Sequence, residues 1–423
     1  MADAAEPTLA AEPTFDVEFA RSQFPAFVHP ETSAWAHLEN AGGSYVPSHV
    51  VDRLADLFAH FKCQPDWDFG PSVTATRAMD RSRLAMAGLF NADPDEIHFG
   101  PSTSQNTYVL ARALRPMFSD GDEIIVTNQD HEANSGVWRR LADTGLTVKE
   151  WRVDPQSGLL DVADLDQLIT DRTRMVAVTH ASNVAATINP IRQIADMVHR
   201  VGGIVVVDGV SYAPHAAIDV RALDCDVYLY SAYKTFGPHI GMLYTRRSLL
   251  DQVENQGHYF NADHHDALVT PAGPDHAIIG AASGIADYYD ELHRHHFGVT
   301  EEGQFARAKR VFDLVARHEE ALMTPLLDLL NNRERVRVIG ATEPVHALRA
   351  PTIAFASETT SSASIYRALI DANVSCGYGH FYAHRLVSAL GLDPDDGVVR
   401  LSMVHYNTSA EVDRALTVLD HVL

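Results

Sequence analysis

Cysteine is scarce in this chain: 423 residues hold three, Cys63, Cys225 and Cys376. Three dispersed thiols are too few for a disulfide framework or a zinc site, so a reducing compartment is expected. Cys225 lies in the apolar run 220–230 and reads as a small packed hydrophobe. No apolar run approaches the roughly 20 residues that a membrane span needs. The first residues, Met1 to Thr14, are rich in Ala, Glu and Pro and lack the basic start and apolar stretch of a signal peptide. They read as a frayed arm, and residence in the cytoplasm is the expectation. Positive charge is in deficit, with 33 basic against 56 acidic residues and a net charge of −23. That argues against a nucleic-acid partner and an anionic membrane surface, and for solubility. The segment Gly100 to Ser104 lacks the lysine of a nucleotide-phosphate loop, and no dinucleotide glycine pattern occurs. There is no internal repeat and no low-complexity linker.

What is present is an ordinary globular balance, 46% apolar and 21% charged residues, over a length sufficient for two domains. Short apolar runs alternate with amphipathic stretches from about Asp93 to Tyr244. Buried strands are expected at 123–126, 175–178, 203–207, 227–230 and 241–244, and a further strand at 96–99. Between them, Ile191, Ile194, Ala195 and Val198 recur at helical spacing. Strands alternating with helices imply a mainly parallel α/β sheet, with functional residues just beyond the strand ends. After about Gly280 the pattern becomes α+β. Helices are expected at 281–297, 302–320, 365–372 and 410–422, and strands at 336–339, 352–355 and 398–403. The 23 histidines include a cluster, His293, His295 and His296, that reads as an exposed polar helix end rather than a metal site.

Five segments carry chemistry. Lys234, in Ser231-Ala232-Tyr233-Lys234, follows a strand directly, where burial and neighbouring cations can make an amine nucleophilic. Asp208 ends the strand Val205-Val206-Val207 and needs a cationic or donor partner there. A protonated ring nitrogen of an electron-sink cofactor is one such partner; a helix N-cap and a metal ligand are the alternatives. The 26 residues from Asp208 to Lys234, with one strand between, place both at one sheet edge. Gly100-Pro101-Ser102-Thr103-Ser104 offers hydroxyls and free amides as a phosphate cup or a plain N-cap. His131, in the turn 128–134, can stack on a flat ring or cap a helix, and Asn183 can donate a hydrogen bond.

In this order, these segments resemble the class V aminotransferase family of fold type I pyridoxal 5′-phosphate (PLP) enzymes, and most closely its cysteine desulfurase branch. The likeness runs from His37-Leu38-Glu39-Asn40-Ala41-Gly42 to the C-terminus. It is most specific from Val178-Thr179-His180-Ala181-Ser182-Asn183 to Asn189-Pro190, and from Val207-Asp208-Gly209 to Lys234. The resemblance implies a fold type I architecture. An N-terminal arm (1–35), partly disordered, would pack with the small domain. A large domain (36–295) would hold a mainly parallel, seven-stranded-type sheet, and a smaller α+β domain would span 296–423. It implies that Lys234 carries PLP as a Schiff base and moves the substrate α-proton. Asp208 would pair with the pyridine nitrogen, and His131 would stack on the ring. Asn183 would contact the 3′ oxygen, with Ser211 and Tyr233 beside the cofactor. Ser102, Thr103, Ser104 and Ser231 would hold the phosphate, with His276 from a second subunit of a homodimer. Arg400 would clamp the α-carboxylate of a small amino-acid substrate, with Asn40 and His380 alongside.

The chain departs from the desulfurase pattern at the mobile thiol, where His380 stands. Cys376 lies four residues earlier, a span of roughly 13 Å when extended, and is the candidate sulfur acceptor. Tyr233 replaces the usual histidine before the lysine, and Ser211 the usual glutamine near the ring oxygen. The expected function is PLP-dependent, cysteine desulfurase-like C–S lyase chemistry. A class V aminotransferase, an epimerase and a non-enzymatic scaffold are the alternatives.

Overall fold

A computed structural model describes residues 13–423. The frayed arm expected over Met1 to Thr14 falls almost wholly outside them, and from Val17 the chain is helical.

Seven strands form the large sheet: β1 (Ile97–Gly100), β2 (Glu123–Thr127), β3 (Thr147–Trp151), β4 (Thr173–Thr179), β5 (Ile204–Asp208), β6 (Val227–Ser231) and β7 (Gly241–Thr245). Their order is β1-β7-β6-β5-β4-β2-β3. The β2 to β6 neighbours all pair in parallel, whereas β7 is antiparallel to both β6 and β1. The sheet is therefore mixed through this single reversed strand. Successive side chains alternate between its two faces. Val205, Val207, Val176 and Val178 enter one core cluster, while Val206, Met175, Ala177 and Leu229 enter the other. Apolar layers cover both faces, so these strands read as continuous hydrophobic runs. β3 lacks that run: Thr-Val-Lys-Glu-Trp is an edge strand with only Trp151 buried, and periodicity did not expose it.

A second, antiparallel sheet joins β8 (Val336–Ile339), β9 (Thr352–Ser357), β10 (Gly377–Gly379) and β11 (Val398–Ser402) in the order β10-β11-β9-β8. The helix expected at 302–320 runs instead as Gln304–Asn331, through Pro325. Proline removes a backbone donor, but Leu322, Met323, Leu326, Leu327 and Leu330 bury a continuous stripe under this sheet, and packing overrides the local preference. The short parallel pair of 36–37 with 374–375 ties the following segment to the second sheet. Ser402 N donates to Leu38 O at 2.7 Å, which sets Glu39 beside β11.

The histidine cluster is an exposed helix end only at His295. His293 is buried. His295 stacks on Phe19 with ring centroids 3.6 Å apart and bonds Asp16, and His296 stacks on Phe15. These rings hold the first described helix in place. Among the described residues no group of three or more His, Cys, Asp or Glu could hold a metal, and no helix is long and apolar enough to cross a membrane.

Candidate functional site

Thr179, Asp208 and Ser231 close β4, β5 and β6 at their carboxyl ends, where open α/β sheets place ligands. They line a cavity of about 430 Å³ whose far wall comes from β11 through Arg400.

Ser102 caps the helix Thr103–Leu114, its Oγ accepting from Gln105 N at 3.2 Å. Thr103 Oγ1 donates to Tyr230 O at 3.3 Å, which fastens the helix start to β6. Opposite, a Cβ on Gly241 would lie 2.6 Å from Thr103 N. Only glycine lets β7 approach this closely. Ser102, Thr103 and Ser104 all line the cavity, and the first amides of a twelve-residue helix suit an anion there.

Lys234 closes the short turn Ala232–Lys234 after β6. Burial, and then the Arg400 charge, lower its pKa to about 8, against the attraction of Asp208 and Glu39. Asp208 is buried and accepts from Val210 N at 2.9 Å. Among the described residues it has no salt bridge. Burial raises its pKa, with the Val210 N–H and Lys234 acting against that. His131 is driven down to about 3 by burial, then by the Lys234 and Arg400 charges, so its ring is neutral. Its Nδ1 accepts from Ala133 N at 3.1 Å, which leaves the ring proton on Nε2. The turn beneath is braced by Asp130, which bonds Thr127 and, at 2.7 Å, Asn134. Burial pushes the Asp130 carboxyl up to about 8.

Asn183 donates through Nδ2 to Phe381 O at 2.8 Å, while its Oδ1 is buried without a partner among the described residues. Arg400 is buried on β11. Its Nη1 donates to Asn183 O at 3.1 Å and its Nη2 to Glu39 Oε1 at 2.5 Å, and its guanidinium carbon lies 3.9 Å from the Phe381 ring centroid. Ser211, Ser231 and Tyr233 complete the set of expected residues that this cavity brings together.

Four expected residues are placed elsewhere. Asn40 is buried with its side chain saturated: Nδ2 reaches His37 O, Ser402 O and Asn407 Oδ1, and Oδ1 takes the Tyr406 hydroxyl. It clasps the chain to β11 and lines a small hollow beside Lys234 and Ser211 rather than the main cavity. His380 turns its Nδ1 to Tyr382 N at 3.1 Å and does not line the cavity; its neighbours Phe381 and Tyr382 do. Cys376 packs in the core of the second sheet, and burial, then the charge of Glu39, push its thiol up to about 12. A thiolate is required for sulfur transfer, so Cys376→Ser is expected to leave turnover with cysteine within about twofold, measured as sulfide and pyruvate release. His276 begins the helix His276–Ala281, away from this chain's cavity.

Among the lining residues that sequence reasoning left without a role are Glu39, Thr179, His239, Phe381 and Tyr382. Glu39 carried a signal. Arg400 sits between apolar neighbours in a strand, and a buried guanidinium there demands an anion.

The family model described as aminotransferase class-V matches residues 36–264 and 298–415. An aminotransferase-like protein of Gibberella zeae is 38% identical over 97% of this chain and 99% of its own length. A cysteine desulfurase-like protein of Aspergillus flavus is 32% identical over 97% and 92%. In fold, the crystal structure of the Escherichia coli cysteine desulfurase CsdA superposes with a TM-score of 0.80 at 24% identity, over 97% of this chain and 99% of that one.

Proposed function

The chain belongs to the class V aminotransferase family, and from that premise we propose that it is a PLP-dependent, cysteine desulfurase-like enzyme acting on a small α-amino acid. One observation carries the reading: a depressed lysine amine and a buried carboxylate, without a salt bridge among the described residues, converge in one cavity. The donor set fits the cofactor. Asp208 has one backbone donor and lacks the N–H partner that a buried carboxylate needs, and a pyridine nitrogen would provide it. Ser102, Thr103, Ser104 and Ser231 would hold the phosphate. His131 would lie against the ring as a neutral plane, and Asn183 has a second N–H on Nδ2 for the 3′ oxygen.

PLP supplies, when bound, an aldehyde for the lysine amine and a ring that withdraws electrons from the substrate α-carbon. Asp208 keeps the ring nitrogen protonated. Lys234 Nζ takes the α-proton and returns it, a role suited to an amine whose pKa lies near 8. Arg400 holds the carboxylate and orients the α-carbon bonds. No thiol lines the cavity among the described residues, so sulfur leaving the site goes to an acceptor that is not a side chain of this cavity. We take the working form to be a cytoplasmic homodimer, with His276 of each copy reaching the other's phosphate; sedimentation tests the assembly.

Protein incubated with PLP should turn yellow, and α-amino acids should shift that absorbance while sulfide, pyruvate and ammonia are followed. A chain that takes up no PLP would end the proposal. In cofactor-free protein the rate of PLP capture should rise with pH and level off above about 8 as Lys234 loses its proton. In Arg400→Gln the inflection should move upward, because a cation that depresses this pKa is gone.

A further inference from the structure

Two carboxylates line the cavity, and the reaction above uses only Asp208. The other, Glu39, rests on Arg400 with Oε1 at 2.5 Å from Nη2. Its contact is one-pronged: among the described residues Glu39 Oε2 and Arg400 Nε are both buried and without partners. The backbone makes room for it. A Cβ on Gly42 would lie 2.6 Å from Glu39 Oε1, and one on Gly377 would lie 3.3 Å from the same oxygen. The guanidinium is clamped between Phe381 and Asn183 O, with its side chain 3% exposed, whereas that of Glu39 is 26% exposed. Glu39 is thus the member of the pair with freedom to move.

A carboxylate binds a guanidinium best across two N–H groups in one plane. Both edges that offer two N–H groups include Nη2, and Nη2 carries Glu39. With Glu39 in place Nε is buried, so a second carboxylate cannot add beside the first. We propose that Glu39 is a resident stand-in for the substrate carboxylate: it occupies Arg400 in the ligand-free protein and must swing off before an α-carboxylate can take the two-pronged position. The exchange conserves charge at the buried guanidinium, and the incoming group gains the Nε–H that Glu39 leaves unmet. Glu39 therefore sets how strongly the site favours substrates that bear a carboxylate. This inference rests on the reading that Arg400 receives that group.

The test uses the PLP-loaded protein, titrated by cofactor absorbance with L-alanine and with its carboxamide. Alanine has no leaving group on its β-carbon, and the carboxamide lacks the charge. In Glu39→Gln, alanine should bind about tenfold tighter or better, because an unneutralised buried guanidinium awaits it, while the carboxamide changes little. Alanine binding that is unchanged or weaker would overturn the proposal. Glu39→Asp, which keeps the charge on a shorter arm, should also tighten alanine, and it serves if the glutamine variant fails to fold, as judged by a thermal melt. Arg400→Gln separates the two ideas. If it leaves the alanine-to-carboxamide ratio unchanged, the assignment of Arg400 fails. If it abolishes the ratio while both Glu39 variants leave it unchanged, the role of Glu39 alone fails.

Discussion

Lys234→Ala is expected to lower turnover by about 10³-fold or more while leaving the fold intact. The amine lies in a turn that backbone bonds already define, with Thr235 N and Gly237 N both donating to Ala232 O, so the side chain is not what shapes it. The loss should appear in kcat, since PLP can still be gripped by the phosphate loop and Asp208. The stability of the cofactor-free protein supplies a second signature. The folded pKa of Lys234, about 8, lies below its ordinary value of 10.5. The unfolded chain then binds more protons between those values, so the cost of burying this cation is fully present below pH 8 and is relieved as pH rises towards 10.5. The melting temperature of the alanine variant, relative to the parent, should therefore be higher at pH 6 than at pH 10.

Asp208→Asn should be the next most damaging change, cutting kcat by about 10²-fold or more. The amide keeps an oxygen for Val210 N, at 2.9 Å from Oδ1 in the parent, so the shape survives. What disappears is the negative charge that would hold a ring nitrogen protonated. The signs of activity and stability should oppose each other. Burial raises the Asp208 pKa above its ordinary 3.8, so the cost of burying this carboxylate sets in as pH rises past the ordinary value and is complete above the raised one, and a neutral amide removes it. Cofactor-free Asp208→Asn should melt higher than the parent at pH 7, and a lower melting temperature would refute this account. A site that stores such strain is typical of function held at the expense of stability.

Much of this architecture was legible in one dimension. Val205-Val206-Val207 and Met175-Val176-Ala177-Val178 are continuous apolar runs because apolar layers cover both sheet faces, and each ends on a polar residue at the ligand edge. The spacing of Asp208 and Lys234 across one strand placed both in the same cavity. The order of the motifs from His37 to Arg400 carried the family, and the matched spans 36–264 and 298–415 agree with it. Elements escaped where tertiary packing outweighed local chemistry. β3 carries lysine and glutamate because it is an edge strand, and Gln304–Asn331 continues past Pro325 because its leucines are buried.

The sequence by itself thus determined the class of the sheet, the family, and the convergence of Lys234, Asp208, His131 and the Ser102–Ser104 turn. The sheet and the pairing of Lys234 with Asp208 depend on periodicity and on what directly follows a strand, both short-range properties of the chain; the family, and with it the parts given to His131 and the Ser102–Ser104 turn, rests on the resemblance carried by the ordered motifs. Only the tertiary structure decided the opposite wall. It showed that Asn40 is saturated by its neighbours, that Cys376 packs in a core, and that Glu39 meets Arg400 across 361 residues of chain. No local pattern encodes such a meeting. It follows from the short strand pairing that draws residues 36–37 to the second sheet, and from the requirement that a buried guanidinium find an anion.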